Sequence, residues 1–144
     1  MKVYFDTSAA AKLLRPEAET PAMRDFIDQS WVEPFGSWLL VAELRRLAAR
    51  WSISQAAATE VIAGFHILPI FEYDYELAGT MADPTLRSLD ALHLTVAAQA
   101  QVDFLITYDA RMKDAALRLY GIPVLEPGAD GNTVPKLPPG YEFV

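Results

Sequence analysis

The chain reads as an α/β domain, a largely parallel sheet covered by helices on both faces. Three observations predict this. Short apolar runs that suit strands alternate with helical runs along the whole chain. The run Ala91 to Ala98 is apolar almost all round, which places its helix deep in the molecule. With 144 residues, no internal repeat and no second domain, one domain with one core is expected over residues 1–126, followed by a Pro/Gly-rich tail over 127–144.

Taken in order, Val3-Tyr4-Phe5 is a short strand that stops at Asp6, and Ala9 to Leu14 is a helix stopped by Pro16. Pro21 opens a second helix through Met23, Phe26 and Ile27. Trp31-Val32 reads as a short strand ahead of Pro34 and Gly36. Ser37 caps a helix from Trp38 to about Trp51, with the stripe Leu40, Leu44, Leu47 and Trp51. Ser52 or Ser54 caps the next helix, which Gly64 closes. His66 to Ile70 is a strand, with Pro69 marking its end or a sheet edge. Asp74 starts a short helix, and Asp83-Pro84-Thr85 is a turn. Ser88 is the expected N-cap of the central helix, which runs to about Gln101 with Asp90 in its first turn. Val102 to Ile106 is a strand, Asp109 caps a helix from Ala110 to Tyr120 that Gly121 terminates, and Pro123 to Leu125 is a last short strand.

Composition narrows the function. There is no cysteine, so disulfides and thiolate metal sites are excluded, and a reducing cytoplasm is the expected setting. His66 and His93 are too few for a histidine-rich zinc site. No charge-free run is long enough to span a bilayer, and the N-terminus meets Asp6 too early for a signal peptide, so no membrane association is expected. The net charge of −7 is the wrong sign for a simple nucleic-acid binder. Either nucleic acid is not the partner, or cations mask a cluster of carboxylates and Lys12, Arg15, Arg45, Arg46, Arg50, Arg87, Arg111, Lys113 and Arg118 supply a local basic rim. Solvated helix faces account for these residues equally well.

Four acidic residues stand at the edges of apolar elements. Asp6 follows the first strand and Asp109 follows the Val102–Ile106 strand, so both fall at the carboxyl edge of the sheet, where ligands gather in parallel sheets. Glu43 borders the buried stripe of its helix, and Asp90 opens the central one. Each has an ordinary structural role available. Asp6 and Asp109 suit N-caps, Asp90 complements a helix dipole, and Glu43 pairs with Arg46 or Arg50. If all four converge, their mutual repulsion calls for a cation. Carboxylates with the hydroxyls of Ser8 and Thr107 form a hard oxygen set, which favours Mg²⁺ or Mn²⁺ and phosphodiester hydrolysis.

The motifs Asp6-Thr7-Ser8, Val41-Ala42-Glu43-Leu44-Arg45-Arg46, Leu89-Asp90-Ala91-Leu92-His93-Leu94 and Leu105-Ile106-Thr107-Tyr108-Asp109 occur in this order over residues 1–126. This series resembles the PIN-domain ribonucleases, and within them the VapC toxins of toxin–antitoxin systems. The resemblance implies an α/β/α sandwich and an acidic quartet that binds Mg²⁺ or Mn²⁺ to cut RNA. Asp6, Glu43, Asp90 and Asp109 match the quartet, and Ser8 and Thr107 match its supporting hydroxyls. Thr107 is expected to orient Asp109 or a metal-bound water. The family also implies a homodimer and an antitoxin whose C-terminal segment lies across the acidic groove.

Competing readings remain at this point. A metal-dependent phosphatase that uses a nucleophilic Asp commonly has a second Asp two residues on, where this chain has Ser8. A non-catalytic PIN-like binding module is disfavoured by the intact quartet, and a phosphate-acceptor signalling domain by the positions of Asp6 and Asp109. His93 is either a general base or a packed histidine, the latter favoured because the metal supplies the hydroxide. Tyr108 and the tryptophans either stack on RNA or pack in the core and interfaces, the latter favoured.

Overall fold

A computed structural model describes residues 1–129; the tail expected over 127–144 therefore lies, from residue 130 on, outside the described residues. The elements are β1 (Lys2–Phe5), α1 (Thr7–Leu14), α2 (Thr20–Ile27), β2 (Glu33–Ser37), α3 (Trp38–Arg50), α4 (Gln55–Ala63), β3 (His66–Leu68), α5 (Glu72–Gly79), α6 (Ser88–Gln99), β4 (Phe104–Ile106), α7 (Ala110–Tyr120) and β5 (Val124–Leu125). The strands form one parallel sheet in the order β3-β2-β1-β4-β5. The chain starts in the centre, builds outward to β3, then crosses back to lay β4 on the other side of β1. The β1/β4 junction is therefore the topological switch point, where parallel sheets open a crevice at the strand ends.

Strand periodicity splits the core into two layers. Val3, Phe5, Phe104 and Ile106 face α1 to α4, where Met23, Phe26, Leu40 and Leu44 are buried. Tyr4 and Leu105 face the opposite layer, formed by Leu94 and Val96 of α6 and Met112 of α7. Each such side chain contributes about 1.5–3 kcal/mol on full burial. Helix α6 is buried from Ala91 through Ala97, as its all-round apolar sequence predicts.

Several boundaries differ from the sequence reading. The second strand is Glu33–Ser37, not Trp31-Val32, and it contains both Pro34 and Gly36. Pro34 pairs with Val3, but register with β3 starts only at Phe35, so the proline stands where the strand has one neighbour. Gly36 is needed for close packing, since a Cβ there would sit 3.0 Å from Leu40 Cδ1. Ser88 is the first residue of α6, not its cap; Arg87 holds that position with no side-chain cap bond. Asp74 lies one turn inside α5 and accepts the Phe71 N–H at 2.8 Å. Ser54, not Ser52, caps α4. Gly121 ends α7 with φ of 64°, as expected. Pro127 to Ala129 turn back onto α2, where a Cβ on Gly128 would meet Ala22 at 3.0 Å, and the Tyr108 hydroxyl donates to the Pro127 carbonyl at 2.6 Å.

Candidate active site

Asp6 is the first residue beyond β1, and its N–H still reaches the Ile106 carbonyl of β4 at 3.2 Å. That ladder bond fixes the residue in the switch-point crevice. Its side chain is only 4% exposed, yet both oxygens are satisfied. Oδ1 accepts from the Ser8 hydroxyl at 2.7 Å and the Ala9 N–H at 2.9 Å, so Asp6 is also the N-cap of α1. Oδ2 accepts from the Thr107 hydroxyl at 2.5 Å. Burial pushes the Asp6 carboxyl up from its ordinary range, against the opposing pull of Thr107, Ser8, His93 and Ala9.

Thr107 is fully buried and joins two carboxylate-bearing turns. Its oxygen accepts the Asp109 N–H at 3.1 Å while its proton goes to Asp6. The expected orientation of Asp109 by Thr107 is thus made through the backbone, and the hydroxyl proton serves Asp6 rather than the Asp109 side chain. Ser8 repeats the pattern, donating to Asp6 and accepting the Tyr108 N–H at 3.2 Å. Asp109 Oδ1 caps α7, taking the N–H groups of Arg111 and Met112.

Glu43 does not pair with Arg46 or Arg50. Its Oε1 instead accepts from the Thr7 hydroxyl and His93 Nε2, both at 2.7 Å. Burial works to raise the Glu43 carboxyl, but the bond and charge of His93, with Thr7, hold it below the usual glutamate range. His93 is 2% exposed, and its Nδ1 lies 2.7 Å from the Tyr4 hydroxyl, which is hydrogen-bonded in turn to Ser37 at 3.0 Å. Ser37 Oγ caps α3 through the Leu39 N–H. A buried chain therefore runs from the start of α3 through Ser37, Tyr4 and His93 to the carboxylate of Glu43. The packed role expected for His93 is what the structure has, with both ring nitrogens engaged.

Asp90 is the exception. It makes no hydrogen bond or ion pair among the described residues. Burial first, then the neighbouring Asp109 charge, raise its carboxyl; Asp6 and Glu43 add to the rise and His93 opposes it. The charges of Asp109, Asp6 and Glu43, at the ends of β4 and β1 and in the second turn of α3, bear on Asp90 in the first turn of α6.

The donor set suits a hard divalent cation. It is carboxylate oxygen, with the nearest imidazole engaged on both sides and an excess of negative charge that the chain does not neutralise itself. Among the described residues, no group of three or more acidic, His or Cys side chains is arranged to hold a metal ion by itself.

Sequence reasoning missed Tyr4, Thr7 and Ser37. Tyr4 in a strand and Ser37 before a helix each look complete as core and cap. The available signal was the alternation along β1, which points Tyr4 away from Val3 and Phe5 and toward the helix that carries His93. Of the aromatic candidates, Trp31 packs on Phe26 and Phe104, Trp51 lies under Arg15, and Tyr108 is tied to Pro127; Trp38 is exposed.

Comparison with known proteins follows this geometry. The sequence model of the PIN domain matches residues 3–117. Ribonuclease VapC47 of Mycobacterium tuberculosis is 38% identical over 136 residues, covering 88% of this chain and 98% of that protein. The crystal structure of Mycobacterium tuberculosis VapC20, a Sarcin-Ricin loop cleaving toxin, superposes with a TM-score of 0.67 at 16% identity, covering 78% of this chain and 94% of that one. VapBC2 from Rickettsia felis, bound to a DNA fragment from its promoter, gives 0.65 at 13% identity, covering 88% and 98%. These two structures share the α/β sandwich. With the family model spanning β1 to β4 and the acidic residues, and a relative of this identity over nearly its full length, the chain belongs to the PIN-domain family of VapC ribonucleases.

Proposed function

We propose that the chain is a metal-dependent endoribonuclease that cleaves RNA phosphodiester bonds as the toxin of a VapBC-type pair, with Asp6, Glu43, Asp90 and Asp109 as its acidic quartet. The observation that carries this reading is Asp90, a carboxylate without an internal partner in a field shared with Asp109, Asp6 and Glu43. Asp90 and Asp109, with Asp6 and Glu43 beside them, would hold Mg²⁺ or Mn²⁺. When bound, such an ion supplies an activated water and neutralises charge that develops on the phosphate.

The chain's own residues do the positioning. Ser8, Thr107 and the Ala9 N–H hold the Asp6 carboxylate in one orientation. Thr7 and His93 saturate Glu43 Oε1 and leave Oε2 for an outside donor, where it can accept a proton from an attacking water. Residues 1–126 act as the catalytic domain. The protein works in the cytoplasm as a homodimer, restrained by an antitoxin whose segment covers the acidic groove. No helix among the described residues is long and apolar enough to cross a membrane.

The test is cleavage of a structured RNA pool with Mg²⁺, with Mn²⁺ and with a chelator, beside Asp90→Asn. Cleavage that needs both the ion and Asp90 is the expected result. Hydrolysis of p-nitrophenyl phosphate with intact RNA would overturn the reading in favour of a phosphatase, although the Ser8 hydroxyl occupies the place of the second acid.

A further inference from the structure

The structure sorts the basic residues into two sets. Lys12 holds Glu17 and Glu19; Arg15 holds Glu17 and lies over the Trp51 ring. Arg45 ties α3 to α4 through Gln55 and Thr59, Lys113 pairs with Glu126, and Arg118 pairs with Asp83 and Asp114. Arg46 and Arg50, like Arg24, Arg87 and Arg111, make no side-chain ion pair, hydrogen bond or ring contact among the described residues, and they are the two that share one helix face beside Glu43. The carboxylate they are spaced to reach, Glu43 at i−3 and i−7, is already committed to Thr7 and His93. Two like charges at i,i+4 repel each other, so the pair stabilises nothing within the chain.

Their position gives them a use. Arg46 and Arg50 are exposed and, with Thr7, Leu39, Glu43 and Leu89, line a cavity of about 380 Å³. Of the four acidic residues Glu43 alone lines this cavity, on the same helix as the two arginines, so the cationic pair borders the site on the α3 side. In a chain of net charge −7, two neighbouring guanidinium groups left unneutralised there offer a local attraction to a polyanion. Arginine also suits the ligand, because its planar fork binds phosphate oxygens in pairs.

We propose that Arg46 and Arg50 form a phosphate-backbone subsite on α3 that grips the RNA strand beside the scissile bond. The proposal rests on the ribonuclease reading and adds to it the residues that position the substrate. Contacts to phosphate carry no sequence information, so the subsite contributes affinity and register, not target choice.

The test is binding of a fluorescein-labelled single-stranded oligoribonucleotide to the full chain carrying Asp90→Asn, followed by anisotropy over a KCl series in Mg²⁺. Arg46→Gln and Arg50→Gln are added singly and together, with Arg118→Gln as an equal change of charge away from the cavity. For single strands each phosphate contact contributes about 0.7 to the slope of log K against log salt, so the double variant should lose about 1.4. The same slope corresponds to a loss of about 5-fold in affinity for each arginine in 0.1 M salt. Equal losses on two unrelated RNA sequences, with Arg118→Gln unchanged, are expected. Unchanged affinity and slope in the double variant would overturn the subsite while leaving the nuclease intact, and would assign the cavity to a protein partner. A loss matched by Arg118→Gln would also overturn it, as an effect of net charge alone. Absence of RNA binding by the Asp90→Asn parent, together with absence of cleavage by the unmodified chain, would remove the ribonuclease reading and the subsite with it.

Discussion

Asp6 and Asp90 are aspartates of one acidic cluster, and burial raises both carboxyls, yet the fold treats them oppositely. Asp6 receives hydrogen bonds from Ser8, Ala9 and Thr107 and caps a helix. Asp90 receives none among the described residues and is supported only by the amino end of α6, where a helix dipole favours an anion. One carboxylate is part of the scaffold as well as the site. The other is charge that the folded chain holds in reserve for something outside it.

The largest expected effect comes from removing the scaffolded one. Asp6→Ala deletes a cap, worth about 1 kcal/mol, and strands the buried Thr107 hydroxyl, at about 1–3 kcal/mol. We expect a loss of about 2–4 kcal/mol in urea unfolding, with cleavage abolished. Asp6→Asn keeps the volume and a capping oxygen, so it should abolish cleavage at a much smaller cost in stability. Equal destabilisation by both would show that the charge, not the cap, holds the corner together. Asp90→Asn should reduce cleavage by about 100-fold or more, beyond the 10–100-fold typical of groups that only support a metal ligand. In chelator its melting temperature should rise, because one of several crowded negative charges is gone. A fall would mean that Asp90 has a structural partner after all and would erase the contrast with Asp6.

Glu43 lies between these extremes, since its partners are side chains rather than backbone. Tyr4→Phe removes the hydroxyl that connects Ser37 to His93 and leaves Nδ1 unpaired. We expect kcat to fall by about 10-fold with KM unchanged, because Glu43 loses its fixed aim but no substrate contact is touched. A purely structural role for this buried chain would lower the melting temperature and leave kcat intact.

What could be read from the sequence follows the same division. The positions of Asp6 and Asp109 were legible because they follow strands, where backbone direction alone brings them to one edge of the sheet. The all-round apolar run from Ala91 to Ala98 showed how deep α6 lies. The partners of Glu43 were not legible because Arg46 and Arg50, the ordinary alternative, are its neighbours in sequence, while Thr7 and His93 reach it only through the crossing of β1, α3 and α6. Helix periodicity ranks partners within one helix and is silent about those from another layer. The strand over Pro34 and Gly36 was missed for a related reason. Proline argues against a strand with two neighbours, and the sequence does not tell that β3 pairs only from Phe35 onward.

The smallest effect is the pH dependence of the metal-free protein, and its sign follows from the directions of the shifts. Asp6 and Asp90 are raised in the folded state, so just above the ordinary aspartate range they retain protons that the unfolded chain has released. Their contribution to stability therefore declines as pH rises from the ordinary carboxylate range through the raised one. Glu43 is lowered, so its contribution is present above the ordinary glutamate range and is lost as pH falls through its depressed value. On the neutral side of the glutamate range Asp6 and Asp90 alone among the quartet's shifted groups still titrate. In chelator, the melting temperature should thus drift down as pH climbs above the ordinary carboxylate range, and Asp90→Asn should flatten part of that drift. Saturating Mg²⁺ should abolish it, because a bound cation keeps its carboxylate ligands ionised. A melting temperature that rises with pH in chelator would mean that the folded chain favours the ionised forms of Asp6 and Asp90, opposite to the raised direction that burial gives them.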